Sequence, residues 1–505
     1  MFWADKIAKE IIDSGKFKPY WVDDMKTPSG FAHVGSLMGP VIHSIIYQSL
    51  LNAKQEATFT FIINDFDPAD DLLPEIRGTH ESELGKPLKL AKSPDPKFQS
   101  MADLFGNDFI DSIKSLGVNP KILSSWELYH QGKFDEVIRI ALDNAEKIQD
   151  IYQRISGSQK KKSGWLPFQV VCENCGKLGT TKVYEWDSEK VSYKCEPDLV
   201  KWAVGCGHTG KISPFGGTGK LPWKVDWPAH WKVIGVTIEG AGKDHASAGG
   251  SYDIAMAICK EVFNYEPPFK LPYEFILIGG KKMSSSKGLG LKAHDLVDIL
   301  PPSVARFLYA KNGIKSQSNF DPEDKNAIPS LFDEYQKAGK AYFSKTNDDL
   351  ARAFELSQIG EIKRPPNIRF SVLTSWVQMP NMTDEIKKEG LTEWAKYARV
   401  WIERFAPEDQ KFEIQKELPE EAKSLSDKQK ELLKKTSEFV SEIQDPAELQ
   451  TKIYELGKEL GLSSGETFEA FYKVLIGKNH GPRLAWLISS LDSSFVKTRF
   501  EEATS

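Results

Sequence analysis

Cysteine is scarce in this chain: five residues among 505, too few for a disulfide scaffold and in keeping with a reducing compartment. A basic excess is missing too. Lys and Arg number 66 against 71 Asp and Glu, a net charge of -5, which argues against a surface that grips polyanions everywhere and leaves local patches for any nucleic acid. Apolar runs are short. The opening M-F-W-A-D-K-I-A-K-E-I-I is amphipathic and carries acids, unlike a signal peptide, and no stretch is expected to be long enough to cross a bilayer. Internal repeats and long polar tracts are absent. These gaps fit a cytoplasmic globular protein with no membrane partner, and the length predicts two to four domains.

What the chain does have is two short segments, far apart. T-P-S-G-F-A-H-V-G-S runs from Thr27 to Ser36, and K-M-S-S-S-K-G from Lys282 to Gly288. In the first, Gly30 and Gly35 let backbone approach a phosphate. His33, at a predicted helix start, can donate to a phosphate oxygen as charge develops there. In the second, lysines on a Ser/Gly loop can neutralise a triphosphate. Each alone has an ordinary explanation: a strand–turn–helix with a capping histidine, and a solvated loop. As an ordered pair they point to an enzyme that binds ATP and directs attack on its α-phosphate.

Other residues are candidates for the same site. In E-G-A-G-K-D-H (Glu239–His245), Gly240 and Gly242 permit close backbone approach. Asp244 is placed to accept from ribose hydroxyls or to cap a helix. Asp65 and Asp67 follow the strand-like T-F-T-F-I-I and can meet a substrate ammonium or cap a turn. Cys172-x2-Cys175, then Cys195, then Cys206-x-His208 reads as a structural zinc site of four cysteines with His208 as a substitute ligand, or as four reduced thiols. Cys259 sits on an apolar helix face and reads as a buried thiol. Lys160–Lys162 and Lys428–Lys435 read as solvated faces, the former alternatively as a phosphate contact.

Along the chain, strands are expected at Pro19–Asp24, Thr58–Ile63, Val233–Ile238 and Phe275–Ile278, with helices at His33–Asn52 and Ser251–Asn264. Strand, glycine turn, helix, strand begins a doubly wound parallel sheet. The predicted organisation is a Rossmann-type catalytic domain in two halves, 1–110 and 221–300. Between them lies an insertion, 111–220, with the zinc module. A helical linker, 301–345, and an all-α domain, 346–505, complete the α/β chain. Helices are expected at Asp333–Phe343, Leu391–Phe405, Ser426–Ile443, Ala447–Leu460 and Glu466–Ile476, with Ser426 and Gln429 forming a capping box.

With both motifs in order, the chain resembles the class I aminoacyl-tRNA synthetases, and in finer detail their archaeal-type lysyl branch. The likeness runs nearly from end to end. It is carried by P-S-G-F-A-H-V-G, N-D-F-D, C-E-N-C-G, G-C-G-H-T-G, G-K-L-P-W-K-V-D-W-P, G-K-D-H-A-S-A-G-G-S, W-I-E-R-F-A-P-E and G-P-R. The chain departs from the family form at four positions: Ser36 replaces the second histidine of the first motif, Ser285 an internal lysine, Asn64 an acid and His230 an arginine.

The resemblance implies that L-lysine is activated with ATP and Mg2+ to an adenylate, then passed to the terminal adenosine of tRNA(Lys). His33, Lys282 and Lys287 would stabilise the phosphates. Pro28, Ser29, Gly30, Gly35, Ser36, Gly242, Asp244, His245 and the loop residues Met283, Ser284, Ser285 and Ser286 would complete the ATP site. Asp24, Asp65, Asp67 and Glu239 are the acids available to a substrate with two ammonium groups. The helical domain would read the anticodon. The alternatives are a glutamyl- or glutaminyl-type synthetase, a nucleotidylyltransferase that adenylates a small molecule, and an RNA-binding homologue without activity.

Overall fold

Tyr20–Lys26 (β1) and Ala57–Ile63 (β2) are rich in aromatic and β-branched residues, and both are mostly buried. That is the composition of strands covered on both faces. With Lys121–Ser124 (β3), Ile238–Gly242 (β4) and Phe269–Tyr273 (β5) they form one parallel sheet in the order β5-β4-β1-β2-β3. This is a doubly wound order, and its switch point lies between the carboxyl ends of β1 and β4. The computed structural model describes residues 1–157, 164–280 and 291–505. Lys160–Lys162 and Lys282–Gly288 lie outside the described residues.

Helix α1 (Met38–Asn52) connects β1 to β2, and α2 (Met101–Ser115) precedes β3. The segment Val34–Asn52 is in fact long and apolar enough to cross a bilayer, contrary to expectation, but 72% of that apolar window is buried inside the protein. Its composition is that of a helix packed into a core. Between β3 and β4 the chain forms three helices within Ser125–Ser156. A small antiparallel sheet follows, made of Thr181–Trp186, Val191–Cys195 and Thr209–Ile212. Helices α3 (Trp223–Ile234) and α4 (Ser251–Glu261) then cover the sheet face opposite α1.

Three expectations are corrected. Val233–Ile238 is not a strand: Val233 and Ile234 finish α3, Gly235 ends it at φ +90°, and β4 begins at Ile238. The third strand of the first half lies at 121–124, beyond the predicted boundary at 110, because K-I-L-S is a short, half-exposed edge strand. The strand expected at Phe275–Ile278 is only Ile276–Leu277, and it pairs with Ser318–Asn319 outside the main sheet.

The chain divides into two compact units. The first comprises Met1–Val297, Pro302–Asp321 and Ala338–Lys363; the second comprises Asp298–Pro301, Pro322–Lys337 and Arg364–Ser505. The predicted linker 301–345 is therefore shared between them, and most of the second unit starts at Arg364 rather than 346. That unit has a core containing Leu432, Leu433, Ile453, Phe471, Leu475, Leu487 and Phe500. Capping boxes at Ser426/Gln429 and Ser463/Glu466 start two of its helices.

Candidate active site

A cavity of about 270 Å3 opens at the switch point, lined among others by Asp24, Lys26, His33, Gly35, Ser36, Gly242, Asp244, His245 and Tyr273. β1 delivers Asp24 and Lys26. The Thr27–Ser36 turn then leaves the sheet with His33 in extended backbone. A 3-10 turn at Val34–Leu37 precedes α1, so the helix starts later than the expected His33.

Successive residues of a strand face opposite sides, and β1 spends both central positions on acids. Asp24 turns toward α1. Its Oδ1 accepts from the Met25 N–H at 2.8 Å, and its Oδ2 lies 3.5 Å from His43 Nδ1. His43 joins α1 to β4: Nδ1 donates to the Gly39 carbonyl at 2.8 Å, and Nε2 accepts from the Gly240 N–H at 2.7 Å. Those two bonds suit the Nδ1-protonated tautomer, and although burial disfavours a charged ring, the Asp24 carboxylate outweighs it and raises His43 above its ordinary value. Gly39 makes room for the floor of the cavity. A Cβ there would lie 2.6 Å from Asp24 Oδ2 and 2.8 Å from the Tyr273 hydroxyl, so a carboxylate and a phenol converge on one point. Burial, and then the Asp24 charge, push the Tyr273 hydroxyl well above its usual range. Burial lowers Lys26, with Asp24 opposing. At the other wall, Asp244 and His245 stand on the short helix after β4, and the Trp223 and His245 rings are 5.2 Å apart.

The other acids expected in the substrate pocket are engaged elsewhere, and none of them lines the cavity. Asp65 accepts from Ser124 Oγ at 2.7 Å and from the Trp126 N–H at 2.8 Å, which starts the helix after β3. Asp67 accepts from Lys220 Nζ at 2.7 Å and, on its other oxygen, from Thr27 Oγ1 at 2.7 Å. Glu239 faces α3 and accepts from the indoles of Trp227, at 2.8 Å, and Trp231. Burial raises Glu239 to about 8, with Asp24 contributing. Its register partner Asp23 shares this buried face, and burial followed by the Glu239 charge holds it well above the carboxylate range.

Lys220 organises a second polar cluster. Its ammonium, 1% exposed, also reaches Asp226 at 2.5 Å and Asn64 at 3.1 Å. Burial works against its charge, but Asp226 and Asp67 more than offset this and raise Lys220 above its ordinary value. His230 completes the cluster through Ser125 at 2.8 Å and the Asp226 carbonyl at 2.9 Å. Asn64 and His230, two of the four departures from the family form, thus meet in one network. It ties the end of the insertion to the first motif through Thr27.

The sulfurs of Cys172, Cys175, Cys195 and Cys206 lie within 4.8 Å of one another. The Cys172–Cys206 and Cys175–Cys195 sulfurs are 3.6 and 3.7 Å apart, the edge of a tetrahedron with metal–sulfur bonds of about 2.3 Å. Gly176, at φ +71°, turns the first knuckle and donates to the Cys172 carbonyl. The side chain of Asn174 draws the Cys206 thiol down to about 6. His208 is outside the group, so four cysteines suffice and the substitute ligand is not needed. Cys259 is buried, as expected.

Lys26, Gly39 and Tyr273 line the cavity without having been singled out in the sequence. A lone lysine, glycine or tyrosine in an apolar element has no spacing to mark it. Lys282 and Lys287, with Met283–Ser286, lie outside the described residues. Pro28, Ser29 and Gly30 form the turn that enters the site, where Ser29 donates to the Thr27 carbonyl.

Residues 1–360 match the family described as tRNA synthetases class I (K). A lysine–tRNA ligase of Archaeoglobus fulgidus is 32% identical over 521 residues, covering 100% of both chains. One from Methanocaldococcus jannaschii is 36% identical over 547 residues, covering 99% of each. Among solved structures, a glutamate tRNA ligase from Elizabethkingia meningosepticum aligns with a TM-score of 0.50 and 12% identity, over 96% of this chain and 99% of that one. At that identity the likeness is one of fold.

Proposed function

Since the chain belongs to the family of class I tRNA synthetases (K), we propose that it activates L-lysine with ATP and transfers it to the terminal adenosine of tRNA(Lys). The observation that carries the substrate is the floor of the cavity. The Asp24 carboxylate and the Tyr273 hydroxyl converge over Gly39, a place suited to an ammonium group and hostile to a second carboxylate. This favours lysine over glutamate on a shared fold.

In the first step a carboxylate oxygen of lysine attacks the α-phosphorus. The bond to the bridging oxygen breaks, and pyrophosphate leaves. Little covalent chemistry falls to the protein, so catalysis is alignment and charge stabilisation. His33 and Lys26 face the phosphates, with Lys282 and Lys287 assigned the same task. Pro28, Ser29, Gly30, Gly35 and Ser36 shape the turn beneath the nucleotide. Gly242, Asp244 and His245 take the ribose side, and Met283–Ser286 complete the ATP set. Mg2+ would be carried into the site on the oxygens of the triphosphate, where it neutralises charge. In the second step the 2′-hydroxyl of the terminal adenosine attacks the activated carbonyl and AMP leaves. Of the four acids assigned to the lysine pocket, Asp24 meets the substrate, while Asp65, Asp67 and Glu239 support the walls. A zinc ion on the four cysteines would knit the insertion together as a structural centre. The second unit receives the anticodon, and the setting is cytoplasmic, where these thiols stay reduced.

ATP–pyrophosphate exchange with each of the twenty amino acids, with and without total tRNA, tests this. Exchange with lysine alone is expected. Exchange with glutamate or glutamine instead would overturn the lysine assignment, and its absence throughout would favour a non-catalytic RNA binder.

A further inference from the structure

The segment that follows residue 290 is docked onto the Thr27–Ser36 turn. Val34 donates its N–H to the Leu291 carbonyl at 2.9 Å, and Ala293 donates to the Ala32 carbonyl at 2.8 Å. His33 lies opposite Lys292 in an antiparallel bridge. Side chains back up this pairing. His294 Nδ1 is 2.7 Å from Asp108 Oδ1, and its Nε2 is 3.3 Å from Asp295 Oδ1. The His294 ring meets Phe31 edge-on at 5.8 Å, and Lys292 Nζ stands 4.7 Å from the Phe31 ring centre. Asp108 comes from α2, next to Phe109, which lines the cavity. Its Oδ2 is buried with no hydrogen-bond partner, so among the described residues the bond to His294 is what anchors this carboxylate.

We propose that Asp108 and His294 are positioning residues for ATP: their pairing locks Leu291–His294 against the first motif and so fixes the backbone of His33 at the cavity. The inference rests on the ATP-dependent activation proposed above. Neither side chain lines the cavity, so neither is catalytic. The pair joins three stretches of chain that are distant in sequence, namely the first motif, α2 and the segment after residue 290. An exposed ion pair within one helix contributes little. A half-buried carboxylate–imidazole hydrogen bond that sets the spacing between two site segments acts through geometry, where displacements on the order of an ångström matter.

The test compares wild type with Asp108→Ala, His294→Ala, the double variant and Asp108→Asn. ATP and lysine dissociation constants are measured by equilibrium binding, and melting temperature and ATP–pyrophosphate exchange are measured alongside. Each alanine variant is expected to bind ATP about tenfold more weakly, with lysine binding within about twofold. The double variant should be no worse than the weaker single, because the two residues act as a unit. Asp108→Asn, whose amide oxygen still accepts from Nδ1–H, should recover most of the loss. Unchanged ATP binding would overturn the proposal. So would a double variant equal to the product of the singles, or ATP and lysine binding that fall in parallel with melting temperature. A wild type that binds ATP but gives no lysine-dependent exchange would sink the lysine assignment alone, and the ATP-binding comparison would still decide the role of the pair.

Discussion

Gly39 leaves no space for a side chain, and that makes the floor of the cavity sensitive to one methyl group. Gly39→Ala puts a Cβ 2.6 Å from Asp24 Oδ2. Because a well-packed site cannot give way freely, the KM for lysine should rise about tenfold, with the KM for ATP nearly unchanged. Asp24→Asn removes the charge while keeping the shape. Loss of a charge-assisted bond to an ammonium, about 1.5–3 kcal/mol, predicts a lysine KM raised roughly ten- to hundredfold in pyrophosphate exchange. Glu239 gives a pH prediction. Its folded pKa, about 8, lies above its value in an unfolded chain. The native state therefore holds the proton more tightly, and the stability that Glu239 contributes is full at low pH and declines as pH rises from the unfolded value toward 8, by at most about 1.4 kcal/mol per pH unit. Glu239→Gln should flatten the fall in melting temperature between pH 5 and pH 8, and an equally steep fall in that variant would sink the assignment. That His33, Gly35 and Ser36 come together at one cavity was legible, because their types and order single the segment out as a candidate site. Asp67 was misleading, since an acid at a strand end looks the same whether its partner is a substrate or Lys220, far away in sequence.

Elements were legible where period and capping agreed. The helices of the second unit fall close to expectation, and the Ser426 box is present with both of its bonds. The failure at Val233–Ile238 came from β-branched residues at the end of a helix. The signal that should have won was Trp223, Trp227 and Trp231, four residues apart on one helical face and gathered in one buried cluster around β4. The four-cysteine set was favoured from Cys-x2-Cys, Cys195 and Cys206, and only the place of His208 as a substitute had to wait for the structure, because it depends on how Cys206 folds back beside Cys172. One zinc per chain is expected by elemental analysis. His208→Ala should retain it and Cys195→Ser should lose it, and loss from His208→Ala would reverse the ligand assignment.

On the scale of the whole molecule, the proposed function assigns activation to the first unit and anticodon recognition to the second. The second unit offers an Arg483 guanidinium 4.2 Å from the Trp486 ring, beside the exposed Asn479, His480 and Gly481. That arrangement can receive an unpaired base. Trp486→Ala should raise the KM for tRNA roughly tenfold, in line with about 1–3 kcal/mol per stacked base, and leave pyrophosphate exchange at saturating tRNA within about twofold. An unchanged tRNA KM would place the anticodon elsewhere. The α/β class and the insertion between two halves of the sheet could be read from the chain. The unit boundary near Arg364 could not, because it falls in a short irregular segment between the helices Asp349–Ser357 and Phe370–Trp376, and its prolines, Pro365 and Pro366, mark a break in the chain without saying with which unit each flanking helix packs.

The order β5-β4-β1-β2-β3 also bears on how the chain is made. β1 and β2 leave the ribosome early, but the edge of β1 that β4 will cover stays open until residue 238 and its successors emerge. At bacterial or eukaryotic elongation rates that wait is on the order of ten seconds or more. An open, apolar strand edge invites pairing with another chain. β1 carries Asp23 and Asp24 at its centre, and while that edge is still wet both are ionised. Two charges on a bare edge repel an incoming strand. The same carboxylates that end up in the core and at the cavity would thus act first as guards of the nascent protein, and replacing them with amides should lower soluble yield even where the finished fold tolerates the change.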